Sequence, residues 1–136
     1  MKVNQIYVNL PVKSVEDTRA FWTKLGFEIN EQFSDEKAVC VIMKEDNIYV
    51  MFLMEEFLKT FTDRPVAKGD TTQVLLAIGV NSREEVDQMV QTALANGGSK
   101  YSEPQDHGWM YQCAFADLNG HQWEVMFADM SKLPTE

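Results

Sequence analysis

Residues 5–22 read QIYVNLPVKSVEDTRAFW, and residues 73–90 read QVLLAIGVNSREEVDQMV. Each stretch opens with a strand pattern: apolar residues alternate in the first and form a short apolar run in the second. A serine three residues before an acidic residue then precedes apolar residues at helical spacing, a combination typical of a capped helix. These serines are Ser14 and Ser82, which lie 68 residues apart, as do the strands. The sequence therefore predicts two copies of a strand followed by a helix.

Three further strands are predicted after each helix. Turn-forming residues separate them, and they cover residues 27–33, 38–43 and 48–53 in the first half and residues 99–102, 109–116 and 121–128 in the second. Pro11 is predicted to close the opening strand, because proline cannot donate to a strand ladder. Residues 55–61 are expected to form a short amphipathic turn of helix. Residues 48–52 also align with 123–127, which supports an internal repeat.

These patterns predict an α+β protein with a single domain over residues 1–136. Its length of 136 residues is typical of one domain. The domain is expected to contain two β-α-β-β-β modules, the first at residues 1–64 and the second at residues 71–129. A polar segment over residues 63–72 is the best candidate for the linker between them.

The charge of the chain restricts its partners. Lys and Arg total 12 against 21 Asp and Glu, giving a net charge of −9. This balance is unsuited to nucleic acid or anionic lipid, so neither nucleic acid nor a membrane is expected as a partner. Cys40 and Cys113 lie in apolar runs and are read as buried free thiols. No export signal and no apolar run of roughly 18 residues is apparent, so we expect a cytoplasmic protein.

The order of these segments resembles a known superfamily. The stretches VKSVEDTRAFWTKLGF, VNSREEVDQMV and FADLNGHQWEV, in this duplicated plan, resemble the vicinal-oxygen-chelate superfamily, which includes glyoxalase I, extradiol dioxygenases and bleomycin-resistance proteins. DNIYVMFL, EEFLKTF and HGWMYQCAFADLNGHQWEVMF are further similar to a bacterial subgroup labelled predicted lactoylglutathione lyase. The resemblance implies that the modules curl into a half-barrel cup of eight strands with two main helices.

The resemblance also implies where a metal would bind. In metal-dependent members, His, Gln or Glu residues on the first and last strand of each module hold a divalent ion. The matching positions here are Tyr7, Tyr49, Leu75 and Glu124. Leucine cannot coordinate a metal and neutral tyrosine seldom does, whereas a catalytic site needs about three protein ligands. We therefore expect no metal cofactor, with a divalent metal at an atypical site as the alternative.

The same register predicts the lining of the cup. It is apolar and aromatic with a few amides, a mixture typical of small-molecule sites. The predicted ligand-binding residues are Tyr7, Asn9, Tyr49, Met51, Leu75, Trp109, Met110, Gln112 and Met126. Glu124 is the candidate catalytic residue, either as general base or as anchor for an amine. The alternative is a structural role, in which Glu124 is tied to Tyr7 or Tyr49 by a hydrogen bond.

Two further groups have less specific interpretations. His121 follows a tight turn and is expected to stabilise that turn or lie at the surface. His107 is expected to be a solvated loop histidine, with a mobile acid or base as the alternative. Phe57, Leu58 and Phe61 form an apolar stripe that either packs in the core or covers the cup or a partner chain.

Two functions from different classes follow. The first is a small-molecule binding protein, similar to bleomycin-resistance members, that forms a homodimer and lacks the usual catalytic metal. The net charge of −9 favours a cationic ligand for it. The second is a glyoxalase-like lyase or isomerase with an atypical metal site or with Glu124 as general base.

Overall fold

The computed structural model describes residues 1–68 and 70–134. The fold is α+β, and its contacts divide the chain between Thr71 and Thr72 into a first and a second compact unit. The elements of the first unit are β1 (Ile6–Val12), α1 (Val15–Lys24), β2 (Glu28–Ile29), β3 (Ala38–Lys44), β4 (Ile48–Met54) and α2 (Glu55–Leu58). Those of the second unit are β5 (Leu75–Gly79), α3 (Arg83–Ala95), β6 (Gln105–Asp106), β7 (Met110–Ala116) and β8 (Gln122–Ala128).

The first unit is an open four-stranded sheet in the order β1-β4-β3-β2. β1 runs parallel to β4, and the other pairs are antiparallel. Helix α1 packs on one face, where Trp22 stacks on Phe52 with ring centroids 5.4 Å apart. Since successive side chains of a strand point to opposite faces, the register places Tyr7, Asn9 and Met51 on the other face.

The second unit repeats this plan with the strand order β5-β8-β7-β6. β5 is parallel to β8, and α3 packs on β7 and β8. The fully buried Phe115, Trp123 and Val125 share the face on which α3 packs. Gln112 and Glu124 lie on the opposite face, as the alternation predicts.

Both predicted helix caps are confirmed. The side-chain oxygen of Ser14 accepts a hydrogen bond from the backbone N–H of Asp17 at 3.1 Å, and that of Ser82 accepts from Glu85 at 3.1 Å. Each bond satisfies one of the N–H groups that a helix start leaves unpaired. Because both halves use the same cap at the same point, the strand-helix order repeats with the spacing that the sequence predicts.

Two predictions for the first unit are wrong. The predicted strand over 27–33 contains only Glu28–Ile29, and Glu31–Phe33 forms a 3-10 turn instead. The side chain of Asn30 causes this change, because it accepts from the N–H of Gln32 and turns the chain. Pro11 does not close β1, which continues to Val12. β1 is an edge strand, where a missing N–H is tolerated.

A prediction for the second unit also needs correction. Residues 99–102 are not a strand, and Ser99 makes only an isolated bridge to Ala116. The edge strand is β6, which pairs Gln105 with Gln112. Within the described part of the chain, no helix is long and apolar enough to cross a membrane.

Candidate functional site

A cavity of about 560 Å³ lies in the first unit, on the side of its sheet away from α1. A volume in this range is typical of sites for small organic molecules. Its walls are mainly aromatic and apolar, with two amides, a hydroxyl and a carboxylate. The lining residues are Tyr7, Asn9, Gln32, Phe33, Ser34, Asp35, Ala38, Met51 and Phe57.

The sheet forms the base of this cavity. Asn9 of β1 and Met51 of β4 are register partners, and Tyr7 lies two residues before Asn9 on the same face. Ala38 begins β3 and contributes only a methyl group, which leaves space above the strand. Three of the predicted ligand-binding residues, Tyr7, Asn9 and Met51, therefore line one cavity.

The segment between β2 and β3 forms a second wall. Its hydrogen bonds hold it in place: the Ser34 hydroxyl donates to the Asn30 carbonyl at 2.7 Å and accepts from the Cys40 N–H at 3.0 Å. The Asp35 carboxylate accepts from the Lys37 N–H at 2.8 Å. Sequence reasoning missed this wall because it assigned residues 27–33 to a strand. The available signals were Asn30, whose side chain can accept from a backbone N–H two residues on, and the Ser34-Asp35 turn pair.

Helix α2 supplies the remaining wall through Phe57. This ring contacts Phe61 edge to face at a centroid distance of 5.1 Å. The Lys37 ammonium lies 5.8 Å from the centroid of the Phe57 ring. Of the predicted apolar stripe, Phe57 thus faces the cavity, whereas Phe61 is exposed.

Tyr7 and Tyr49 stand at the two positions of the first unit where the resemblance implies metal ligands. Their rings stack at a centroid distance of 4.9 Å. The Tyr7 hydroxyl donates to the Gln5 side-chain oxygen at 3.3 Å, and the Tyr49 hydroxyl accepts from the Asp46 N–H at 3.0 Å. Burial raises the pKa of Tyr49, which keeps its phenol neutral. A neutral phenol that already accepts a backbone hydrogen bond is a poor metal ligand.

The matching positions of the second unit are Leu75 and Glu124. Leu75 carries no donor atom, so only the Glu124 carboxylate is a common ligand type. The residues at the four family positions therefore do not fit a divalent metal. Among residues 1–68 and 70–134, no three His, Cys, Asp or Glu side chains are grouped to hold one.

Glu124 is half-buried on the face of the second sheet away from α3. Its Oε2 atom accepts a hydrogen bond from Gln112 Nε2 at 2.7 Å. This donor lies on the neighbouring strand β7, and a structural hydrogen bond between Glu124 and Tyr7 or Tyr49 stays a prediction. Burial and the charge of Glu124 together raise the pKa of Tyr101, a residue that sequence reasoning did not select.

The other predicted residues of the second unit are distributed over this sheet. Met110, Gln112 and Met126 are half-buried and share the face of Glu124. Leu75 is exposed on the edge strand β5. Trp109 lies just before β7 and accepts the Asp129 N–H through its carbonyl oxygen.

A polar network lies on the α3 side of the same sheet. Arg83 forms a two-bond ion pair with Asp106 at 2.8 and 3.0 Å, and its guanidinium lies 5.0 Å from the Tyr111 ring centroid. The Arg83 hydrogen bonds hold the pKa of Asp106 well below its usual range. The Tyr111 hydroxyl donates to the Asp87 carboxylate at 2.5 Å, which raises the pKa of Tyr111. These bonds join α3 to strands β6 and β7.

The two histidines have different surroundings. His121 is half-buried, and its backbone N–H and carbonyl both bond to Asp117. The Asp117 carboxylate is buried and also accepts from the Asn119 N–H and Trp123 Nε1. Asp117 thus organises the turn between β7 and β8. His107 is exposed, and its ring lies 3.3 Å from the Gln105 side-chain oxygen.

This paired β-α-β-β-β arrangement is the fold of several solved structures. A hypothetical protein from S. aureus matches with a TM-score of 0.78 and 26% identity, over 94% of this chain and 96% of that chain. A glyoxalase/bleomycin resistance protein/dioxygenase family enzyme from Burkholderia phytofirmans matches with a TM-score of 0.72 and 20% identity, over 90% and 96%. The fosfomycin resistance protein FosX from Listeria monocytogenes matches with a TM-score of 0.69 and 18% identity, over 96% and 98%.

The amino-acid sequence also matches a known protein family. Residues 4–125 match the family described as the Glyoxalase/Bleomycin resistance protein/Dioxygenase superfamily. The chain belongs to this superfamily, and the resemblance seen in the sequence is confirmed at that level. None of the curated proteins compared with the chain matches it significantly. The similarity to the lactoylglutathione lyase subgroup stays a prediction.

Proposed function

We propose that this protein binds a small organic molecule in the cavity of its first unit and does so without the usual catalytic metal of the superfamily. The observation that carries the proposal is the cavity itself, about 560 Å³ and walled by Tyr7, Phe33, Met51 and Phe57. Apolar walls supply affinity at roughly 25 cal/mol for each Å² removed from water. Sparse polar groups then fix the orientation of the ligand.

Filling the cavity tests this proposal. Ala38→Leu adds three heavy atoms at the base of the cavity, and Met51→Trp narrows it from β4. The probe is 2-naphthylmethanol, a neutral aromatic alcohol, and its affinity is measured by calorimetry. We expect the wild type to bind it and both variants to lose at least about tenfold in affinity. The control is Ala20→Leu, which makes the same change at an exposed position of α1.

The folding of each variant is checked first. Circular dichroism spectra and unfolding temperatures of all variants establish that the fold is kept. Binding that survives both cavity-filling changes in folded protein would contradict the proposal, as would a wild type that binds no naphthyl probe, neutral or charged.

The second candidate is an enzyme, either a glyoxalase-like lyase or isomerase in which Glu124 is a general base. It is favoured by one observation: Gln112 Nε2 donates a hydrogen bond to Oε2 of Glu124, which orients the carboxylate as a general base requires. Glu124→Gln keeps the shape and removes the basic oxygen. Loss of turnover with unchanged ligand affinity in this variant would favour the enzyme. Both candidate functions include the predictions that the protein forms a homodimer and that it is cytoplasmic. Light scattering tests the first and cell fractionation tests the second.

A further inference from the structure

We propose that the ligand of the first-unit cavity is an organic cation, with a protonated amine joined to an aromatic or apolar body. This inference rests on the proposed function, because it names the class of molecule that the same cavity would take. It depends on the charge of the lining, the partners of the charged group and the arrangement of the aromatic rings.

The lining carries one charge, and that charge is negative. Asp35 is the sole ionisable acid or base among the residues that line the cavity apart from the phenol of Tyr7. No Lys, Arg or His is among them. An anionic ligand would therefore lie beside a carboxylate without a compensating cation on the wall, which raises its free energy. A cationic ligand would be attracted by the same carboxylate.

The Asp35 carboxylate is available to such a ligand. Its Oδ1 atom accepts one hydrogen bond, from the backbone N–H of Lys37. No ion pair joins Asp35 to a Lys, Arg or His side chain within the residues that the structure describes. By contrast, the neighbouring Glu31 is paired with Arg19, and Glu55 is paired with Lys68. The carboxylate at the cavity is thus left for an external partner.

The aromatic rings add a second attraction for a cation. Tyr7, Phe33 and Phe57 line the same space as Asp35. Ring faces attract ammonium groups because the face of an aromatic ring carries partial negative charge. The Phe57 ring already has the Lys37 ammonium 5.8 Å from its centroid, so the attraction for a ligand cation comes from Tyr7 and Phe33.

The amides complete the recognition of an amine. The side-chain carbonyl oxygens of Asn9 and Gln32 can accept N–H hydrogen bonds from an ammonium group. Both side chains line the cavity and are exposed. The hydroxyl of Ser34 is less suited, because it already donates to Asn30 and accepts from Cys40. The net charge of −9 also raises the local concentration of cations around the chain.

Three probes with the same ring body separate charge from shape. They are 2-naphthylmethylamine, which is protonated at pH 7, the neutral 2-naphthylmethanol and the anionic 2-naphthoate. Affinities are measured by calorimetry at fixed salt with the full chain. We expect the amine to bind about fivefold more tightly than the alcohol or better, and the carboxylate to bind most weakly.

A matched pair of variants locates the effect. Asp35→Asn removes the charge at the cavity, and Glu36→Gln removes one charge at the next residue, which is exposed and does not line the cavity. We expect Asp35→Asn to abolish the preference for the amine while the affinity for the alcohol stays within twofold. Glu36→Gln should keep the preference.

The binding results distinguish failure of the cation inference from failure of the proposed function. If the alcohol binds as well as the amine and Ala38→Leu still prevents its binding, the inference of a cation is overturned and the proposed function stands. If Glu36→Gln and Asp35→Asn weaken amine binding equally, the assignment to Asp35 is overturned. If no probe binds to the folded wild type, the proposed function itself fails.

Discussion

The ring of Tyr7 stacks on the ring of Tyr49, with centroids 4.9 Å apart and planes inclined by 13°. The two residues are register partners on parallel strands β1 and β4, so their side chains leave the sheet side by side. At the positions where the superfamily resemblance implies metal ligands, the first unit therefore has an aromatic pair. Tyr7 also lines the cavity, so the stacked pair lies beside it.

A double-mutant cycle on this pair measures the stacking directly. We expect Tyr7→Leu and Tyr49→Leu to be coupled by about 0.5–1.5 kcal/mol in the free energy of unfolding, because offset rings interact beyond the area that they bury. Urea unfolding of the wild type, both single variants and the double variant gives the coupling. Effects of the two changes that simply add would contradict a stabilising stack.

The metal prediction is tested on the purified protein. Of the four residues at the positions where the resemblance implies metal ligands, only Glu124 is of a type that commonly binds metals. We therefore expect Ni²⁺, Zn²⁺, Mn²⁺ and Fe²⁺ to leave the unfolding temperature unchanged. Elemental analysis should find less than a stoichiometric amount of each metal. A shift that Glu124→Gln removes would show instead that an atypical site exists.

Much of the sheet could be predicted from the sequence because a strand pattern has a period of two. That period assigns Tyr7, Asn9 and Met51 to one face, and it assigns Gln112 and Glu124 to one face of the other sheet. Such assignments need only local information. For the same reason, the serine caps of both helices can be predicted from the sequence.

The other features of the fold could not be predicted, because they depend on competing hydrogen bonds or on contacts between residues far apart in the sequence. Around residues 27–33 the apolar residues favour a strand, but the Asn30 side chain offers the backbone a competing hydrogen bond. This local choice forms the wall that contains Phe33 and Asp35. Arg83 and Asp106 are 23 residues apart, and neither lies in a pattern that would pair them. Only the folded chain shows that β6 starts at residue 105 and is held by α3.

The pair of Arg83 and Asp106 predicts a pH dependence of stability. Since Arg83 lowers the pKa of Asp106 in the folded chain, the unfolded chain binds the proton more readily as the pH falls. The contribution of this pair is present above the unfolded pKa of about 3.9 and is lost as the pH falls through the lower folded value. We expect Asp106→Asn to be less stable than the wild type at pH 7.

The difference between these two proteins should shrink as the pH falls below about 4, where Asp106 of the unfolded wild type is protonated. Thermal unfolding at a series of pH values measures it. Asp63→Asn, at an exposed loop position without an ion pair among the described residues, is the control and should follow the wild type. A difference that stays constant across the pH series would show that the ion pair is not its source.

The buried carboxylate of Asp117 gives the last prediction. It accepts from three donors, the N–H groups of Asn119 and His121 and Trp123 Nε1 at 3.0 Å. Trp123→Phe keeps an aromatic ring in the core and removes one of these donors. We expect a loss of about 1–3 kcal/mol in the free energy of unfolding, because a buried carboxylate then has one hydrogen bond fewer.

Burial raises the pKa of Asp117, so the folded chain holds this proton more tightly than the unfolded chain does. The contribution of Asp117 to stability is therefore greatest below the unfolded pKa of about 3.9 and declines as the pH rises through the folded value. Removing the donor of Trp123 raises the folded pKa further, because that hydrogen bond favours the charged form. Trp123→Phe should thus lose more stability at pH 7 than at pH 4 in urea unfolding. The control is Trp22→Phe, which alters a buried tryptophan on α1 of the first unit and should lose the same amount at both pH values. An equal loss for Trp123→Phe at both pH values would mean that the indole contributes packing alone and does not stabilise the charge.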